Sequence, residues 1–214
     1  MHDELQARMA ELPLVAILRG LRPQEALPVG TALVEAGFRI LEVPLNSPDP
    51  FASIEALATA LRGRALVGAG TVTAPDEVDR LRRAGGGLVV MPHGDPLVIR
   101  AAKAAGLACT PGVATPTEAF AALRAGADAL KLFPAETLGP AALKAWIAVL
   151  PPGTPVLPVG GITPETMRPW CQAGAAGFGL GSALYRPGYL PAAVAERAAA
   201  FVAGWRAAKT TGPG

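Results

Sequence analysis

Gly126-Ala-Asp-Ala-Leu-Lys-Leu-Phe-Pro-Ala135 is the stretch from which the rest of the chain is read. Ala129 to Phe133 has the marks of a buried strand: it is short and apolar, follows a glycine turn and stops at Pro134. A lysine in the middle of such a strand is out of place. Burying an unpaired ammonium is costly and drives the amine toward its neutral form. A neutral, desolvated amine is what an imine-forming nucleophile must be. The 19 basic residues include only four lysines, Lys103, Lys131, Lys144 and Lys209, and the other three fall in helical or tail segments. Arginine, used elsewhere, cannot form an imine. The plainer reading ends the strand at Lys131 and lets its ammonium reach solvent, and on this stretch alone the two readings stand level.

Outward from this stretch, a repeat organises the chain. Glycines just before apolar, strand-like runs occur at Gly37, Gly63, Gly85, Gly106, Gly126, Gly153 and Gly174, spaced 26, 22, 21, 20, 27 and 21 residues apart. Each interval holds one strand and one helix, with the glycine closing the helix. With the first strand this makes eight βα units, their strands at Leu14–Leu18, Arg39–Val43, Ala65–Ala69, Gly87–Met91, Leu107–Thr110, Ala129–Phe133, Pro155–Val159 and Ala176–Leu180. Alternating strands and helices with short connections imply a parallel sheet. Eight units imply an α/β fold in which residues 1–214 form a single-domain (β/α)8 TIM barrel. Thr115-Pro-Thr-Glu118 is a capping box with proline at the first helical position, and Ser47, Thr73 and Thr163 stand before other proline-led helix starts as candidate caps. A helix from about Pro191 to Ala208 closes the chain, and Thr210 to Gly214 reads as a frayed tail.

The totals bound the function. Of the 214 residues 51% are hydrophobic and only 17% charged, which suits a sheet covered on both faces. A net charge of +2, with its residues scattered, argues against nucleic acid as a partner. No stretch approaches the ~18 uninterrupted apolar residues of a membrane span. The acidic start, Met1-His-Asp-Glu-Leu5, shows no signal peptide, and Cys109 and Cys171 read as reduced thiols, so a cytoplasmic protein is expected. Two distant histidines, His2 and His93, suggest no metal site.

In a barrel of this kind the site forms at the C-terminal ends of the strands. The residues there are Arg19-Gly20, Glu42 with Asn46 and Ser47, Gly68-Ala-Gly-Thr71, Met91-Pro-His93, Thr110-Pro-Gly112, Lys131 with Phe133, Gly160-Gly161, and Gly179-Leu-Gly-Ser182. Polar residues of an otherwise apolar chain thus gather on one face. Glu42, also inside an apolar strand, is the natural proton-transfer partner of Lys131, unless it only pairs with Arg19. The glycines after strands seven and eight suit a phosphate, which backbone N–H groups can approach closely there. Arg19 suits a substrate carboxylate or a salt bridge. Thr71 reads equally as a second carboxylate ligand or a turn residue, Phe133 packs against an imine or the core, and His93 carries no assigned role.

Ile17-Leu-Arg-Gly20, Leu41-Glu-Val-Pro-Leu-Asn46, Gly68-Ala-Gly-Thr71, Pro111-Gly-Val-Ala-Thr115, Lys131-Leu-Phe-Pro-Ala135, Pro158-Val-Gly-Gly161 and Gly179-Leu-Gly-Ser182 span nearly the whole chain. Together they resemble the class I aldolases that cleave 2-keto-3-deoxy-6-phospho sugar acids. The resemblance implies a Schiff base on Lys131 and a general acid/base at Glu42. It assigns the substrate head to Arg19 and Thr71, and its phosphate to Gly160, Gly161, Gly181 and Ser182. It further implies a homotrimer, no cofactor, and a phosphorylated keto-deoxy sugar acid split into pyruvate and D-glyceraldehyde 3-phosphate. Asn46, where the 6-phosphogluconate branch usually carries arginine, and Val159, where it carries threonine, look like the 6-phosphogalactonate branch. The alternatives are the same cleavage of the gluconate epimer, a phosphate-binding isomerase or epimerase that uses Glu42 without an imine, and a barrel that only binds a phosphosugar.

Overall fold

Proline at the first helical position, where no N–H is needed, starts seven of the helical segments in the structure, a computed structural model that describes residues 2–210. The strands are β1 (Leu14–Ile17), β2 (Ile40–Pro44), β3 (Leu66–Gly70), β4 (Leu88–Val90), β5 (Ala108–Thr110), β6 (Gly112–Val113), β7 (Leu130–Leu132), β8 (Val156–Pro158) and β9 (Phe178–Leu180). The helices are α1 (His2–Glu11), α2 (Pro23–Glu35), α3 (Pro50–Ala60), α4 (Pro75–Arg83), α5 (Pro96–Ala104), α6 (Pro116–Ala125), α7 (Ala135–Ile147), α8 (Met167–Gln172) and α9 (Pro191–Thr210). A 3₁₀ turn, Pro164–Thr166, leads into α8. All seven punctuating glycines, from Gly37 to Gly174, hold positive φ. This is the left-handed backbone that closes a helix without the steric cost of a Cβ.

Every strand pair is parallel. Hydrogen bonds join the strands into a curled six-stranded sheet, β5-β4-β3-β2-β1-β9, and a three-stranded sheet, β6-β7-β8. The fold is therefore mixed α/β with a curled parallel sheet. The fifth strand, expected to end at Thr110, runs on past Pro111 and divides there, so that β5 borders one sheet and β6 the other. A single parallel bridge, Val159 with Gly179, links the ends of β8 and β9.

Two apolar layers follow from the period of two along each strand. Outward residues such as Leu41, Val43, Leu130 and Leu132 pack with the helices. Inward residues Val15, Ile40, Leu66, Leu88, Ala129 and Leu157 form a smaller cluster with Leu5 and Met9 of α1. α1, absent from the strand and helix pattern of the sequence, thus stops the N-terminal end of the sheet interior. The last helix runs to Thr210, two residues beyond the expected end, and packs on α2 and α8. The rest of the tail expected to fray, residues 211–214, lies outside the described residues.

The caps are partly as expected. Thr115 Oγ1 accepts from the Glu118 N–H at 3.3 Å, and Glu118 accepts from the Thr115 N–H at 2.8 Å. Ser47 and Thr73 are not caps. Ser47 is buried and accepts from the Gly20 N–H at 2.9 Å, tying the loops after β1 and β2 together, while Asp49 begins α3. At α4 it is Glu77 that reaches back to the N–H groups of Thr73 and Ala74, at 2.7 and 3.1 Å. Threonine just before a proline-led start carries the local pattern of a cap, but here a longer acid one turn on ties the chain down instead, through the N–H groups ahead of the helix.

Candidate active site

Strand alternation that sends Leu41 and Val43 outward turns Glu42 inward, and Leu130 and Leu132 do the same for Lys131. Both are almost fully covered, with 1% of Glu42 and 7% of Lys131 exposed. They border a common cavity of about 20 Å³ among Val15, Leu88, Thr110 and Leu157, room for one water molecule. Lys131 also borders a second cavity of about 670 Å³ that opens at the C-terminal ends of the strands. Its amine therefore stands between the closed interior and the open mouth. The strand lysine does not simply reach bulk solvent.

Burial is the main force on both groups. It pushes the Glu42 carboxyl up to about 7, against the pull of the Lys131 and Arg19 charges. It lowers the pKa of the Lys131 ammonium, with Arg19 acting in the same direction and Glu42 opposing. Among the described residues no ion pair joins the two, and Glu42 Oε2 has no hydrogen-bond partner. A carboxylate left unlocked in this way keeps its lone pairs for proton transfer. The Phe133 ring lies under the amine, its centroid 4.7 Å from Nζ. Gly70 clears the space for Glu42, because a Cβ there would strike the carboxylate itself.

Arg19 is exposed at the edge of the mouth and donates from Nη1 to Asn46 Oδ1 at 2.9 Å. Gly160, Gly161, Gly181, Ser182 and Phe133 all line the mouth. Among the described residues the N–H groups of Gly161, Gly181 and Ser182 have no protein acceptor. Unpaired donors from two converging turns form a concavity suited to an anion. Thr71 lies outside the lining of the mouth, half-buried just past β3, with φ +56, a strained value for a residue with a side chain. His93 is exposed past β4 and borders neither cavity.

Three residues at the site carry no role in the sequence reading. Thr110 shares the inner cavity with Glu42 and Lys131. Arg186 donates from Nε to the Ser182 carbonyl at 3.0 Å at the mouth. Glu136 sits over the Gly160-Gly161 turn. Thr110 ends its strand beside Pro111 and was visible as a polar strand end; the other two look in sequence like ordinary surface charges.

The sequence model of the KDPG and KHG aldolase family matches residues 5–197. The chain is similar to the 2-dehydro-3-deoxy-6-phosphogalactonate aldolase of Escherichia coli (strain K12), 51% identical over 198 residues, or 92% of this chain and 97% of the relative. It is 47% identical to a probable enzyme of the same name from Rhizobium meliloti (strain 1021), over 96% of this chain and 97% of that one. A solved structure described as "Native KDPGal structure" superposes with a TM-score of 0.92 at 50% identity, covering 94% of this chain and 97% of the other.

Proposed function

The chain belongs to the KDPG and KHG aldolase family, and from that we propose that it is a class I aldolase. Its substrate is 2-dehydro-3-deoxy-6-phospho-D-galactonate, which it cleaves to pyruvate and D-glyceraldehyde 3-phosphate. The observation that carries this is Lys131, an amine kept from solvent, shifted toward its neutral form and set at the floor of the mouth beside a protonatable Glu42.

Neutral Lys131 attacks the C2 ketone, and Glu42 relays protons as the carbinolamine forms and loses water to give the iminium. Glu42 then takes the proton of the C4 hydroxyl. The C3–C4 bond breaks, its electron pair passes to the iminium nitrogen, and the phosphorylated aldehyde leaves. Protonation of the resulting enamine at C3 and hydrolysis of the imine release pyruvate and restore the amine. The imine nitrogen is the electron sink, so the scheme calls for no metal or cofactor. Arg19 and Thr71 hold the substrate carboxylate. Gly160, Gly161, Gly181 and Ser182 hold the phosphate, and Phe133 packs against the imine.

Fold and assembly complete the proposal. The two sheets close into a (β/α)8 barrel, for which the support is the run of residues 108–113, divided at Pro111 between β5 and β6, at one seam and the Val159–Gly179 bridge at the other. The described residues form one domain, and the active enzyme is a homotrimer of the cytoplasm. No described helix is long and apolar enough to cross a membrane.

Asn46 and Val159 are the residues that separate this reading from cleavage of the gluconate epimer. Asn46 is held by Arg19 and Val159 lines the mouth. Turnover of the two C4 epimers, followed by coupled pyruvate detection, separates them. A higher kcat/KM for the galactonate-derived acid is expected, and preference for the gluconate-derived one overturns the substrate assignment. Cleavage of neither overturns the aldolase.

A further inference from the structure

We infer that Glu136 is a specificity-determining residue, a carboxylate that contests the anion cradle at the phosphate end of the mouth. The inference rests on the aldolase reading above. Glu136 is the second residue of α7 and is exposed on the wall of the mouth. Its side chain folds back over the Gly160-Gly161 turn. A Cβ built on Gly160 would meet Glu136 Oε2, and one built on Gly161 would lie 3.1 Å from the Glu136 Cβ and 3.7 Å from the same oxygen. The hollow that the glycines leave open beside the unpaired N–H groups is thus the hollow the carboxylate enters. Among the described residues no hydrogen bond or ion pair fastens the Glu136 side chain there, so it occupies a place it can leave.

The other charges at this end are of opposite sign. Among the described residues Gly161, Gly181 and Ser182 present N–H groups without a protein acceptor, and Arg186 is anchored there only through Nε, to the Ser182 carbonyl. A phosphate carries one and a half to two negative charges at neutral pH. It cannot share so small a space with a carboxylate without repulsion. Substrate entry therefore drives Glu136 off the turn, and the carboxylate returns as the phosphorylated product departs. Glu136 lowers affinity for the phosphate end in both directions, against the donors that raise it.

An acid in the first turn of a helix is also favoured by the helix dipole, wherever its side chain points. That role needs no contact with Gly160, and the two are separable by experiment. The KM for the phosphorylated sugar acid, the inhibition constant for inorganic phosphate and the melting temperature are measured for the parent, E136Q and E136D. In E136Q both the KM and the inhibition constant fall by roughly three- to tenfold, and E136D, which keeps the charge on a shorter stem, lies between. If both constants stay the same or rise in E136Q, whatever the melting temperature does, Glu136 is only a helix acid and the inference is overturned. If inorganic phosphate inhibits neither parent nor variants although the sugar acid is cleaved, the phosphate cradle itself falls, and the inference with it.

Discussion

Glu42 and Lys131 face inward from β2 and β7, where burial alone would favour apolar side chains, and burial pushes each toward its uncharged form. For Glu42 the consequence for stability has a definite sign. Its folded pKa of about 7 lies above the ordinary 4.5, so between those values the folded chain binds the extra proton and stability falls as pH rises. Glu42→Gln does not titrate. Denaturant melts should show the variant gaining on the parent by about 3 kcal/mol between pH 4 and pH 8, and a difference independent of pH would contradict the assigned burial. The same substitution should lower kcat about 10²- to 10⁴-fold. In the parent, kcat/KM should fall as pH drops below about 7, where Glu42 gains its proton. Gly70 belongs to this pair although it bears no side chain. Gly70→Ala places a methyl group against the Glu42 carboxylate, so it should cost activity about 10²-fold or more while circular dichroism shows the fold retained. Normal turnover in that variant would mean that Glu42 does not act from where it stands.

Among the elements, the proline-led helices and the glycines that close them were legible because each signal is local: a missing N–H at one end, a positive φ at the other. The split of the fifth strand at Pro111 was not, since which sheet each half joins depends on neighbours far along the chain. Nor was the role of α1. Its sequence, HDELQARMAE, is polar apart from four positions, and only the assembled sheet shows Leu5 and Met9 as a plug for the interior. Leu5 is 2% exposed, so Leu5→Ala should cost about 2–5 kcal/mol in chemical denaturation. A loss within ~0.5 kcal/mol would place α1 outside the cooperative core. Ser47 and Thr73 show the limit of local patterns, since both precede prolines as caps do, yet one bridges two loops and the other is served by Glu77.

At the level of the whole molecule the sequence already grouped Arg19, Glu42, Phe133, Lys131 and the two glycine turns, because strand order alone brings their ends to one face. The structure gathers all of these around two adjoining cavities and leaves Thr71 off the lining of the mouth. Glu136 escaped the sequence because its importance lies in a side chain folding back across a turn 24 residues away, and no spacing rule reports such a contact. Lys131 between the closed interior and the open mouth is the arrangement on which the chemistry depends. Borohydride reduction in the presence of pyruvate, followed by peptide mass spectrometry, tests it most directly. The account predicts a reduced pyruvyl adduct on Lys131. A folded protein that yields no adduct, or one on another lysine, would contradict it.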